Sequence, residues 1–296
     1  MDDSTLPIAF HTVQRFSVGS AVCALDWSPE SQSVRLAGVY ETTIALAVAV
    51  EDRSILYYAS GIDPIDVCSD VQFKHLAAIN DVAVDRVSGH FIASCSDDCT
   101  LRIWRIISDG LDDDLPLVLR LRSRGVTVQW NEKLSAQVLV GEASGAIRIF
   151  DMDSQSWLVS VFQPPAPNSL LRSVDWSQHD PNVFGAVIGS KWFVWNLMRD
   201  KAIHLPERQG EAHPESAHSF RWCLADAKAF ATCTSSPEAA KNRLVSAKIF
   251  MNVFDHAPQA IRLPSKSRLS SISWHSQQMV LLGSSGDEIF LWRLNC

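Results

Sequence analysis

An aromatic residue recurs every 46 positions through the first two thirds of the chain, at Tyr58, Trp104 and Phe150, and then one residue early at Trp195. Each closes a short strand-like run: SILYY (54–58), TLRIW (100–104), AIRIF (146–150) and WFVW (192–195). A second series keeps the same step, at Val84, Trp130, Trp176 and Trp222. Two independent markers with one period define an internal repeat. A unit of this length, made of short strands, cannot bury its apolar faces alone, so copies must stack around an axis. The fold class expected is all-β, a β-propeller.

The clearest unit is INDVAVDRVSGHFIASCSDDCTLRIW (79–104). Alternating residues at 80–85, a Ser88-Gly89 turn, a second strand at 91–94 and a third after the 96–100 turn give it three strands. Five more units read against it. They begin at Val22 and Val126, at Leu171, and at Phe220 and Ile272. Six repeats are visible; the stretched segment 28–50 leaves room for a degenerate seventh blade. The last unit ends at Trp292 with too little chain for a fourth strand, while the strand-like IAFHTVQRFSV (8–18) has no unit of its own. The N-terminal segment is therefore expected to supply the missing strand and close the ring, since an open ring exposes two sheet edges. The expected organisation is a single domain, 1–296, with 1–21 as closing strand and 22–296 as repeats. Three segments read as loops or insertions: the proline-rich 163–168, the stretch 205–219 and the stretch 235–243. The last two are expected to widen one contact face.

Composition narrows the function. The chain carries a net charge of −7 with 47% hydrophobic and 20% charged residues, which suits a globular protein and argues against a binder that relies on phosphate contacts. The seven cysteines are scattered without zinc-ligand spacing, and no Asn-x-Ser/Thr sequon is present, so reduced cysteines in an intracellular compartment are expected. The acidic N-terminus is unlike a signal peptide. The longest purely apolar run, 44–50, is far short of a membrane helix, so any membrane association would come through a partner. No P-loop, Gly-x-Gly-x-x-Gly or His-Glu-x-x-His stretch is present, and an enzyme, a cofactor or a metal site is not expected.

One constellation invites chemistry. His75, Ser94, Asp98 and Trp104 fall before the first strand, in the second strand, in the turn and at the end of the third strand of one unit. Asp98 at a tight turn can accept hydrogen bonds from backbone amides and from His75, and Ser94 can pass the network to the Trp104 indole. A Ser, a His and an Asp also suggest a hydrolase triad, but no Gly-x-Ser-x-Gly elbow surrounds Ser94. The set resembles the buried network of the WD-repeat family, which is structural. Other units have lost it: position 144 is Ser, and 189 and 286 are Gly where Asp would stand. The remaining aromatics read as repeat core: Trp27, Tyr58, Trp130, Phe150, Trp176, Trp195, Trp222, Trp274 and Trp292. Trp157 and Trp192 fall outside the series and read as candidates for exposed contacts.

Five ordered stretches carry a narrower resemblance: 79–104, VTVQWNEKLSAQVLVGEASGAIRIFDM (126–152), LRSVDWSQHDPNVFGAVIGSKWFVWNL (171–197), FRWCLADAKAFAT (220–232) and SISWHSQQMVLLGSSGDEIFLW (271–292). In that order they are similar to the small WD-repeat nucleoporin family of the outer-ring, Y-shaped scaffold of the nuclear pore, over about residues 75–296. The resemblance implies a non-catalytic scaffold subunit at the nuclear pore and nuclear envelope. It would dock on a large scaffold nucleoporin with its own propeller and α-helical body, and support transport of protein and mRNA. Direct contact with nucleic acid and membrane insertion are not implied. The family lacks phenylalanine-glycine repeats; here the only such pair, Phe184-Gly185, falls inside a strand. The alternatives are a WD-repeat substrate receptor of a ubiquitin ligase, or a propeller that reads peptides at the top of its ring. Ligase receptors typically carry Trp-Asp-x-Arg after the third strand, and none of 104–107, 150–153, 195–198 or 292–295 fits.

Overall fold

The computed structural model describes residues 20–28, 32–36, 39–43, 45–59, 65–66, 74–107, 110–111, 116–134, 136–162, 170–198, 205–235, 245–251, 258–262, 269–275, 278–285 and 288–294. They form six antiparallel sheets that follow one another along the chain as the blades of a β-propeller. Blade 1 pairs β1 (Val22–Trp27), β4 (Ala45–Val50), β5 (Ile55–Ala59) and β6 (Ile65–Asp66) in that order. A separate hairpin, β2 (Gln32–Leu36) with β3 (Val39–Thr43), stands between β1 and β4. The stretched first unit thus spends its extra length on this hairpin rather than on a further blade.

Blade 2 holds β7 (Ile79–Val84), β8 (Phe91–Ser96) and β9 (Thr100–Ile107). Its outer edge is covered in two pieces, β10 (Gly110–Leu111) and β11 (Leu117–Arg120), each paired with β9. Blade 3 is β12 (Gly125–Trp130), β13 (Gln137–Glu142), β14 (Ala146–Asp151) and β15 (Ser156–Phe162). Blade 4 is β16 (Leu171–Trp176), β17 (Val183–Ile188), β18 (Lys191–Asn196) and β19 (Arg208–Glu211). Blade 5 is β20 (Ser219–Trp222), β21 (Phe230–Cys233), β22 (Ala247–Phe250) and β23 (Gln259–Ile261). Blade 6 has three strands among the described residues, β24 (Ser271–Trp274), β25 (Val280–Ser285) and β26 (Glu288–Arg293). The expected closing strand at 8–18, the proline-rich 163–168 and the stretch 236–243 lie outside the described residues.

The turn between the second and third strands shows why the repeat period holds. Its left-handed position is taken by Cys99 (φ 61°), Gly145 (φ 92°) and Gly189 (φ 60°) in blades 2, 3 and 4. Glycine adopts that region at no steric cost, whereas Cys99 must be held there by its neighbours. The adjacent Asp98 does so by accepting the Thr100 amide at 2.9 Å.

Five successive seams, from blade 1 through to blade 6, are apolar clusters built from both neighbours. Ala47, Ala49 and Tyr57 of blade 1 meet Val82, Val84 and Trp104 of blade 2. Leu139, Ile149 and Val161 of blade 3 meet Trp176, Phe184 and Trp195 of blade 4. Similar clusters join blades 2 and 3, 4 and 5, and 5 and 6. Burial of a large side chain contributes about 1.5–3 kcal/mol, so the seams dominate the stability. At the seam of blades 4 and 5 a Cβ on Gly185 would stand 2.2 Å from the Phe220 ring, so only glycine lets the sheets approach. Phe184 beside it is buried and stacked on Trp195 at 5.3 Å. This Phe-Gly pair is therefore a packing device.

Candidate functional site

The order of the strands brings His75, Ser94, Asp98 and Trp104 together inside blade 2. Pairing of β7 with β8 and of β8 with β9 sets Ser94 beside Trp104's strand and leaves His75 over the turn. The His75 ring contacts Asp98 Oδ2 through Nδ1 at 2.9 Å and Ser94 Oγ through Nε2 at 2.8 Å, and the Trp104 indole donates to Ser94 Oγ at 3.0 Å. Donor arithmetic assigns the protons. The Asp98 carboxylate can only accept, so His75 Nδ1–H goes to Asp98, and Nε2 of the neutral ring accepts the Ser94 hydroxyl proton. Burial pushes the His75 pKa down, against the pull of Asp98, which keeps the ring in that neutral form. Burial works to raise the Asp98 carboxyl, but bonds from His75, Thr100 and the Leu76 amide outweigh it and hold the carboxyl well below the usual carboxylate range. A Ser–His–Asp line of this geometry is that of a hydrolase, but His75 and Ser94 are fully enclosed and the indole occupies Ser94 Oγ. No substrate reaches it.

The other blades rebuild or drop this network one atom at a time. In blade 3 the corresponding positions are Leu121, Val140 and Phe150, all buried and apolar. The loop amides there still need an acceptor, and Glu142 supplies it: Oε2 accepts from the Arg122 and Ser123 amides at 2.8 Å each. Its other oxygen takes Arg148 Nε at 2.9 Å, and Arg148 also reaches the Arg120 carbonyl and lies 3.9 Å from the Trp157 ring. In blade 4, Ala186 stands where Ser94 does, and the Trp195 indole nitrogen finds no partner among the described residues. In blade 5, His213 and Thr232 remain in contact at 3.2 Å, Phe250 replaces the indole, and burial takes His213 down to about 4.

A second set of polar groups ties blade to blade around the axis. In blades 1, 3 and 4 the residue just before the aromatic of the inner strand points at the next blade. Asp26 accepts the Val84 amide at 2.9 Å, Gln129 the Trp176 amide at 3.2 Å, and Asp175 the Trp222 amide at 2.6 Å. Asp81 accepts the Val128 amide and the Thr127 hydroxyl. Indoles return the bond: Trp130 to the Ala83 carbonyl, Trp222 to that of Asp175, Trp274 to that of Arg221. All six inner strands line one cavity of about 650 Å³ on the axis. Burial pushes the Asp81 and Asp175 carboxyls up to about 6 in spite of the nearby Arg221 guanidinium.

The aromatic series is placed as follows. Tyr58, Trp130, Phe150, Trp176, Trp195, Trp222 and Trp274 are buried, and Trp292 is partly buried beside Phe290. Trp27 departs from the core reading: it is 48% exposed, whereas Trp130, Trp222 and Trp274 at the equivalent position are buried against the preceding blade. Leu25, two residues earlier on the same face, is 56% exposed, and Ile289 and Leu291 of β26 are also exposed. Trp192 corrects in the other direction. It is buried, with its ring edge-on to Phe230 and Phe250 of blade 5. Trp157 is half-buried under Arg148. The stretch 205–219 is also not simply a loop, since Arg208–Glu211 is the outer strand of blade 4. The Glu142–Arg148 pair and the axial acceptors escaped the reading of the sequence; the step of 46 from Asp81 to Thr127 and from Gln129 to Asp175 is the signal that would have found the axial set.

The WD domain, G-beta repeat family model matches residues 67–105, the span holding the His75–Trp104 network. Mouse and human nucleoporin Nup37 are each 27% identical over 289 residues, covering 96% of this chain and 80% of the relative. An uncharacterised WD repeat-containing protein of Schizosaccharomyces pombe is 32% identical over 155 residues, 42% of this chain and 38% of its own length. The chain is a WD-repeat β-propeller with nucleoporins among its relatives along nearly its whole length.

Proposed function

We propose that this WD-repeat β-propeller, a relative of nucleoporins along nearly its whole length, is a non-catalytic scaffold subunit of the nuclear pore outer ring. It docks on a large scaffold nucleoporin, sits at the nuclear envelope through that partner, and supports nucleocytoplasmic transport. The observation that carries the reading is the kinship with Nup37 across 96% of the chain rather than across one repeat. The chemistry agrees with it. The Ser–His–Asp line of blade 2 is sealed, and most of the buried polar groups hold strands and blades together. The chain acts as one body, 1–296, with 1–21 closing the ring against the free edge of β26. The test is reconstitution: co-expressed with the large scaffold nucleoporin of its host, the chain is expected to co-elute in fixed stoichiometry on size exclusion and survive dilution. Separate elution at micromolar concentrations would overturn the docking.

A further inference from the structure

The connector between blades 2 and 3 gathers positive charge. Arg120, Arg122 and Arg124 put three cations into five positions of a chain that carries −7 overall. Arg120 ends the outer strand β11, and the connector runs from there to Gly125, where β12 begins. All three arginines are exposed and make no ion pair among the described residues. Burial, and with it the charge of Arg122, pushes the Arg148 pKa down against the pull of Glu142, so the site holds more positive charge than Glu142 balances.

Ser123 stands in the middle of this run. It is half-buried, and its Oγ accepts the Ser144 amide at 3.1 Å and lies 3.4 Å from Glu142 Oε2. The Ser144 hydroxyl beside it is buried with no partner among the described residues. Arginine three residues before, one before and one after a serine is a charge pattern that protein kinases with an acidic substrate cleft read. The local structure permits that reading. Strand β11 pairs with β9 along one edge, so lifting 117–124 into an extended substrate strand breaks one ladder and the two amide bonds to Glu142. The inner strands of both blades stay paired, as local opening requires.

We propose that Ser123 is a phosphorylation site for a protein kinase that selects basic segments, and that its phosphoryl group acts on Glu142. In the transfer, Ser123 Oγ bonds to the terminal phosphorus of a nucleoside triphosphate and the bond from that phosphorus to its bridging oxygen breaks. The nucleoside diphosphate leaves with the electron pair, and the hydroxyl proton passes to the base of the kinase. The product carries about −1.5 to −2 charges at neutral pH. It gains the Ser144 hydroxyl and the guanidinium groups of Arg122 and Arg124 as donors, but it stands beside a carboxylate that is fully enclosed. Repulsion from a buried charge outweighs attraction to arginines that lie in water. Phosphorylation therefore loosens the Glu142 cap and with it the connector between blades 2 and 3. The inference does not rest on a place at the nuclear pore.

The experiment treats the full chain with magnesium, ATP and the catalytic subunit of cyclic-AMP-dependent protein kinase, maps the phosphate by mass spectrometry, and compares melting temperatures before and after. Phosphate is expected first at Ser123, ahead of Ser271, which also follows an arginine by three residues but sits in the inner strand β24. Ser123→Ala should remove that label, and Arg120→Gln should slow it. The phosphorylated chain should melt about 2 °C or more below the untreated one, while kinase-treated Ser123→Ala shows no such fall. In Glu142→Gln the same phosphate should lower the melting temperature by less. Each fall is measured within its own background, so a weaker starting stability of Glu142→Gln does not blur the comparison. Labelling of Ser271 before Ser123, no label at Ser123, a melting temperature unchanged or raised by the phosphate, or an equal fall in Glu142→Gln would each overturn the proposal.

Discussion

Asp175→Asn separates the charge of a seam carboxylate from its shape. Asp175 is 8% exposed and accepts the Trp222 amide across the seam between blades 4 and 5. Its carboxyl lies at about 6 when folded, against 3.8 for the free group, because burial outweighs the attraction of Arg221. The folded state therefore keeps a proton that the unfolded chain gives up. The stabilisation this represents is fully present below pH 3.8 and is lost as pH rises through about 6. The interval is about 2 pH units, and at 1.36 kcal/mol per unit the loss is about 3 kcal/mol. Asparagine has no charge to lose and keeps an oxygen for the Trp222 amide, though its amide group faces Gln129 less well than a carboxylate does. That mismatch adds an offset that does not change with pH. Urea unfolding of both proteins between about pH 4 and 7 isolates the charge, because ionisations common to both cancel in the difference. The stability of the variant relative to wild type is expected to move in its favour by about 3 kcal/mol over that range. Parallel pH profiles, or a variant that loses ground as pH rises, would refute the argument that this carboxylate is ionised at a cost.

Asp98→Ala removes the acceptor for His75 and for the Leu76 and Thr100 amides. It is expected to cost about 1–3 kcal/mol in thermal unfolding at neutral pH. The Asp98 carboxyl is held low, so its stabilisation exists above pH 3.8 and is lost in acid; wild type and variant should converge there, and a wider gap in acid contradicts the network. Glu142→Ala strands Arg148 and two loop amides inside blade 3 and is expected to cost about 3–5 kcal/mol. Glu142→Met with Arg148→Met recovers part of that loss in urea unfolding; a double variant no better than the single one would show that the amides, not the stranded charge, set the cost. Ala186→Ser offers the Trp195 indole the oxygen that Ser94 gives Trp104, and a gain of about 1 kcal/mol in melting experiments is expected. A lower melting temperature would show that the serine cannot reach.

The blades were legible because their buried strands must repeat. Trp130, Trp176 and Trp222 fill equivalent places at successive seams, and a place that must be filled keeps its residue type and its spacing. The blade 2 network was legible for the same reason, since His75, Ser94, Asp98 and Trp104 each satisfy another member of the set. The outer strands were not. Arg208–Glu211 faces solvent along half its length and pairs through its backbone, so RQGE leaves no apolar signature and reads as part of a loop. Glu142 was hidden by register. A reading by equivalent positions looks for the turn carboxylate at 144, finds Ser, and concludes that the cap is lost; the cap moved two residues back into the strand, together with a cation on the neighbouring one. Trp27 and Trp192 exchanged places for a reason of neighbours. Trp27 keeps the repeat position but is left half-exposed, while Trp192 breaks the period yet meets two phenylalanines of blade 5.

The central claim, a scaffold subunit of the nuclear pore, is tested most directly by tagging the chain at its own locus, imaging it, and quantifying what purifies with it. A continuous nuclear rim with scaffold nucleoporins in fixed stoichiometry is the result expected. A diffuse cytosolic signal, with cullin-type ligase subunits in place of nucleoporins, would contradict it.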